Sequence, residues 1–154
     1  AYWNNTSPTS SVFSLGGDAD INKSSDPLIA YCFAEKKGYS KFGSYTANNN
    51  SDGAYIHLGF KPAFFMTKRS DVANNWVMFD NKRDPHNEIN HNFYANTNEA
   101  EETGTLNNDL DFLSNGIKIR EDNNALNASG GTYIYMAFAE SPFVTSTGIP
   151  TTAR

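Results

Sequence analysis

The chain has 154 residues, 38% hydrophobic and 14% aromatic, with 11 Phe and 8 Tyr, which supplies one core rather than two and excludes a wholly disordered chain. Twelve Lys and Arg against 17 Asp and Glu leave a formal charge of -5, the wrong sign for a surface that neutralises phosphates, so direct nucleic-acid binding is disfavoured. Cys32 stands alone, allowing neither an intrachain disulfide nor a Cys-rich zinc site, and no apolar run approaches the ~20 residues of a membrane span.

Twenty Asn, 14 Ser and 12 Thr are spread along the sequence, and these residues bond their own backbone in turns and resist long helices. Between them lie short alternating or β-branched and aromatic runs, which read as strands at residues 11–15, 28–34, 40–46, 54–58, 63–68, 76–80, 110–113, 116–120 and 132–139. Lys61-Pro62 separates the fourth from the fifth, because Pro lacks the ladder donor. Residues 97–102, with Thr97 or Asn98 as N-cap and acids in the first turn, are the one stretch that reads as a helical turn. Asn115-Gly116 between two apolar arms predicts a tight hairpin with a type I′ turn.

Residues 29–35 (IAYCFAE) and 134–140 (IYMAFAE) share Ile, Phe, Ala and Glu at equivalent positions, which suggests that each closes a similar unit. The expected organisation is therefore an arm over residues 1–38, carrying the last strand of a preceding similar module, and a β-sandwich module with a C-terminal tail over residues 39–154. No initiator Met, basic leader or cleavage signal stands at Ala1, as expected for a piece of a longer product.

Chemistry-bearing patterns are sparse. Asp18-Ala19-Asp20-Ile21-Asn22 has the alternate oxygens of a calcium loop, but Lys23 replaces the needed Gly and Ile29 the closing Glu, so it reads as an acidic surface loop. His86 and His91 are five residues apart, a spacing that puts two imidazoles on one face of neither helix nor strand, and they read as solvated loop residues. His57 reads as a half-buried strand residue and Cys32 as inert packing within residues 28–34. No nucleophile, zincin, phosphate-loop or dinucleotide signature occurs, so neither catalysis nor a metal or cofactor is expected. Five sequons, at Asn4, Asn5, Asn22, Asn49 and Asn127, barely exceed what such a composition gives by chance.

Aromatic side chains remain the candidates for contact with a glycan or a protein partner, namely Tyr2, Trp3, Tyr133 and Tyr135, because flat rings desolvate a partner at small entropic cost. Trp76 reads as core. Tyr133 and Tyr135 share one strand face and Ile134 and Met136 the other, so one pair must meet a second layer or a partner subunit.

The strings GYSKFGSYT at residues 38–46, GFKPAFFMTKR at 59–69, Asn75-Trp76, Asp80-Asn81-Lys82-Arg83, DFLSNG at 111–116 and GTYIYMAFAE at 131–140 resemble the C-terminal module of tailed-phage virion proteins. These are tail-fibre-like or other surface structural proteins, many of them from marine phages. The resemblance covers about residues 28–154, including the ending from Pro142 to Arg154, and residues 10–16 are similar to the lead-in to the last strand of an upstream lectin-like β-sandwich. It implies a non-enzymatic virion building block of an extracellular particle, and carries over no catalytic, metal or cofactor residue. The expected fold is an all-β antiparallel sandwich, Ig-like or jelly-roll, with an extended N-terminal arm. The expected function is a structural or adhesive module of tail fibre, tail or capsid decoration that associates with itself or neighbouring virion proteins and touches a host-surface glycan. A free-standing carbohydrate-binding module is the alternative, and a glycan depolymerase a more distant one.

Overall fold

The computed structural model describes residues 2–104 and 108–142. The polar-punctuated sequence does what such punctuation demands: among the described residues there is one four-residue helix, α1 (Ala19–Asn22), and nine strands. These are β1 (Ser40–Thr46), β2 (Tyr55–His57), β3 (Pro62–Arg69), β4 (Val77–Asp80), β5 (His91–Tyr94), β6 (Glu102–Thr103), β7 (Leu110–Leu113), β8 (Gly116–Ile119) and β9 (Thr132–Ala139). They form two antiparallel sheets, a six-stranded one in the order β1-β9-β3-β4-β5-β6 and a three-stranded one in the order β2-β8-β7. The protein is an all-β, sandwich-like fold whose sheets share one apolar cluster.

That cluster follows from period-two alternation. Phe65, Val77, Phe79, Tyr133 and Ala137 of the larger sheet are fully buried together with Leu110, Ile117 and Ile119 of the smaller. Pro62 opens β3, where a missing donor costs least, and the register with β9 shifts between Pro62 and Phe64. Gly38, at φ 74°, makes the turn into β1, with Lys36 and Ser40 exchanging both backbone hydrogen bonds (3.2 and 2.9 Å).

The chain divides into two compact units, Ala1–Phe33 and Ala34–Arg154. The first holds α1, capped by the Asp18 carboxylate accepting from the Asp20 amide at 3.1 Å, so the calcium-like string is a helix start. Residues 11–15 and 28–33 of this unit form no strand, contrary to expectation. Their apolar side chains have no ladder beside them: Ile29 is 81% and Tyr31 80% exposed, and Cys32 is exposed rather than packed.

Other expectations are corrected as well. Residues 97–102 are not helical, and Glu102 instead pairs across from Asn92 in β6, because six residues close too few helical bonds to repay nucleation. β5, in an Asn- and His-rich stretch with little strand signal, was not expected; Asn92 is buried there and Tyr94 packs against the core. The β7–β8 hairpin is present, but Leu113 pairs with Gly116, so the turn is Ser114-Asn115, and neither Asn115 nor Gly116 has a positive φ. Gly116 serves a different need: a Cβ there would lie 2.3 Å from the Ile56 carbonyl oxygen of β2. The ending from Phe143 to Arg154 lies outside the described residues.

Candidate interaction face

β9 lies between β1 and β3, so both its edges are paired and only its faces can meet anything else. Tyr133 and Tyr135 turn inward. Tyr133 is fully buried, stacks on Tyr45 at 5.0 Å between ring centroids, donates to the Asn124 carbonyl at 2.8 Å and accepts from the Ala128 amide at 3.0 Å. Tyr45 donates to the Leu126 carbonyl at 2.8 Å, and Tyr135 packs beside Phe65 at 6.0 Å. Burial pushes all three phenols above their ordinary pKa and keeps them protonated. Tyr133 and Tyr135 are therefore core residues, Tyr133 tying down the loop at Asn124 and Ala128, and not the surface contacts the sequence suggested.

The opposite face takes Ile134 and Met136, and there cross-strand register builds something no single strand shows. Phe42 of β1 lies opposite Met136 of β9, Met136 opposite Met66 of β3, Met66 opposite Met78 of β4, and Met78 opposite Phe93 of β5. Five half-buried apolar side chains thus form one row across five adjacent strands. On one side of the row Phe138 gathers Tyr39, Phe42 and Phe64 at centroid distances of 5.8, 6.0 and 6.0 Å. On the other, the exposed Ile134 pairs with Lys68, whose ammonium stands 5.9 Å from the Trp76 ring. Trp76 is half-buried at this margin rather than in the core.

Charge is confined to the ends of the face. The Arg83 guanidinium lies 3.9 Å over the Phe93 ring and pairs with Asp80 and, at 3.5 Å, with Glu101. Partial burial by itself would raise the Asp80 carboxyl, but the Arg83 and Lys82 amides and the Arg83 guanidinium outweigh it and hold it below the usual carboxylate value. Lys61 and Glu140 form a second pair at 2.8 Å. An apolar centre with fixed ion pairs at its margin is the anatomy of a protein contact surface.

Other candidates fall elsewhere. Tyr2 and Trp3 are exposed in the first unit, where Trp3 meets Phe13 edge-on at 6.4 Å and both line an open groove of about 560 Å³ with Pro8, Ala30 and Tyr31. Tyr2 donates to Asp20 at 3.1 Å, and that carboxylate raises its pKa. Asp84 accepts from the Asn90 and His91 amides, which makes the His86–His91 stretch a self-bonded loop. Among the described residues no three His, Cys, Asp or Glu side chains gather as metal ligands would, and no helix is long and apolar enough to cross a membrane. The sequon at Asn127 is fully buried: its amide donates to Asn48, Asn50 and Glu121 at 2.8 to 2.9 Å and accepts from the Asn48 amide.

The face residues Phe42, Met66, Met78 and Phe93 were missed from the sequence. Alternation within each strand marks them as sharing a side with polar neighbours, but their alignment is a property of register between distant segments.

A family model described as a domain of unknown function (DUF7483) matches residues 1–142. No curated protein and no solved structure matches the chain.

Proposed function

The chain belongs to the DUF7483 family, and we propose that it is a non-enzymatic virion building block that associates through the outer face of its six-stranded sheet and meets the host surface with its polar loops. The observation that carries the reading is the row Phe42, Met136, Met66, Met78 and Phe93 with its margin of ion pairs. A row of half-buried apolar side chains rimmed by charge suits a subunit contact better than open solvent. The resemblance of its strings to tailed-phage virion modules supplies the particle, tail fibre, tail or capsid decoration.

Sedimentation over a concentration series tests the association. The wild-type chain is expected to self-associate, and Met66→Lys with Met78→Lys to weaken this by at least about tenfold in Kd, with an unchanged far-UV spectrum. A wild-type chain monomeric at every concentration overturns the reading.

The groove lined by Trp3, Phe13 and Tyr31 favours a second reading, a carbohydrate-binding module whose rings stack on sugars. Glycan binding abolished by Trp3→Ala would support it.

A further inference from the structure

We propose that a cavity at one end of the six-stranded sheet binds a single neutral sugar ring of a surface glycan, with Asn81 Oδ1 and the Lys61 ammonium as its polar contacts. The inference deepens the host-surface contact proposed above, on which it rests, by giving that contact a site.

Topology assembles the polar wall. β9 and β4 flank β3 and both run antiparallel to it, so the residue entering β3 stands between the residues leaving its two neighbours. These three are Lys61, Glu140 and Asn81. The Glu140 carboxylate joins the other two, accepting from the Lys61 ammonium at 2.8 Å with one oxygen and from Asn81 Nδ2 at 2.8 Å with the other. Backbone bonds hold the frame: the Glu140 amide donates to the Lys61 carbonyl at 2.9 Å, and the Asn81 amide to the Ala63 carbonyl at 3.0 Å.

This arrangement leaves one group over. Asn81 is buried, and because its nitrogen is committed to a carboxylate, the side-chain amide cannot turn over without setting oxygen against oxygen. Oδ1 is therefore held away from Glu140, buried and without a donor. Native folds seldom leave a buried acceptor so. Asn81 and Lys61 line a cavity of about 340 Å³ together with Pro85, Asn87, Ile89 and Phe112. One water, whose share of liquid volume is about 30 Å³, would satisfy Oδ1 and leave most of that space unfilled.

The far wall is already built. The Asn87 side chain donates to the Phe112 carbonyl at 3.1 Å and accepts from the Phe112 amide at 3.0 Å, and Ile89 and Leu110 exchange both backbone bonds. The loop after β4 is thereby fixed to β7, with the Asn87 amide spent on the wall. Pro85, Ile89 and Phe112 give this wall its apolar surface.

The lining selects the ligand. Glu140 already matches the Lys61 charge, so the pair calls for no anion, yet the ammonium has three donors and Glu140 takes one of them. Oδ1 calls for a donor. A sugar hydroxyl both donates and accepts, so neighbouring hydroxyls can meet Oδ1 and the ammonium together while ring C–H bonds lie against Pro85 and Phe112. The volume is at the small end of ligand pockets and suits one ring rather than a chain.

Amide correlation spectra of the isotope-labelled full chain, titrated with the methyl glycosides of glucose, galactose, mannose and N-acetylglucosamine, test this. At least one glycoside is expected to shift the Asn81 side-chain amide and the His86 and Ile89 backbone amides saturably, with a Kd of about 1 mM or tighter. Asn81→Ala and, separately, Lys61→Met should weaken that binding at least about tenfold with an unchanged far-UV spectrum. Should Asn81→Ala not fold, the wild-type shifts and Lys61→Met decide. Unchanged binding in the folded variants overturns the inference, as do shifts at Asn81 given by N-methylacetamide but by no glycoside, which would make the ligand a peptide. Shifts confined to the Trp3 indole and Phe13 refute this site and leave glycan contact to the groove of the first unit. No shift with any glycoside refutes the site and the glycan contact together, while sedimentation still judges the sheet-face association by itself.

Discussion

Residues 29–35 and 134–140 have nearly the same pattern and opposite fates. The second is a central strand with a fully buried Ala137 and a register fixed on both sides. The first forms no strand and leaves Ile29 and Tyr31 in solvent. The difference teaches that alternation and β-branched or aromatic content specify the capacity to pair, whereas pairing itself needs an edge within reach.

The contrast breaks most sharply under truncation. Tyr133→Ala should cost about 3–5 kcal/mol, through lost stacking on Tyr45 and a cavity in the core. Tyr31→Ala should stay within about 0.5 kcal/mol when the protein is dilute. Urea unfolding measures both, and equal losses would mean that the two stretches are equally embedded. A medium effect is expected at Asn127, whose amide ties together the loops flanking β1 and β9. Asn127→Ala should cost about 1–3 kcal/mol because the Asn48 amide and the Asn50 and Glu121 carbonyls lose a buried partner. A change near zero would place the second repeat's stability in β9 alone.

The smallest effect concerns pH and belongs only to the paired body. Burial first, then the hydrogen bond and charge of Asp109, raise the Glu121 pKa above its unfolded value near 4.5. A carboxyl so raised favours the folded state fully below that unfolded value, and the contribution is lost as pH rises through the folded pKa. Glu121→Gln should therefore match wild type in Tm near pH 4 and exceed it slightly at pH 7. The reverse order would show that the Asp109 contact is not formed in solution.

Much of this architecture was legible beforehand. β1, β7 and β9 begin and end where alternation places them, since each has a buried face that a one-residue slip would expose. β5 was illegible because His91 and Asn92 are turn formers by composition, and the strand is held in the sheet by Phe93 and Tyr94 pairing with Met78 and Val77 across the ladder. Residues 28–33 misled for the converse reason. For the interaction face, the sequence showed that Tyr133 and Tyr135 oppose Ile134 and Met136, but which pair is covered depends on where the smaller sheet lies, a long-range fact. The Tyr133 hydroxyl could have hinted at the answer's cost: a buried phenol needs an acceptor, and the Asn124 carbonyl supplies it.

That β1 starts beside the end of β9 has a mechanical consequence. Ser40 stands across from Phe138, and Tyr39 accepts from the Ala139 amide, so the polypeptide comes into the sandwich and goes out of it at neighbouring positions. Tension applied through those two crossings would load the antiparallel rungs one after another, like a zip, instead of straining them all together as in shear. Pulled through those two crossings, this body would yield at low force.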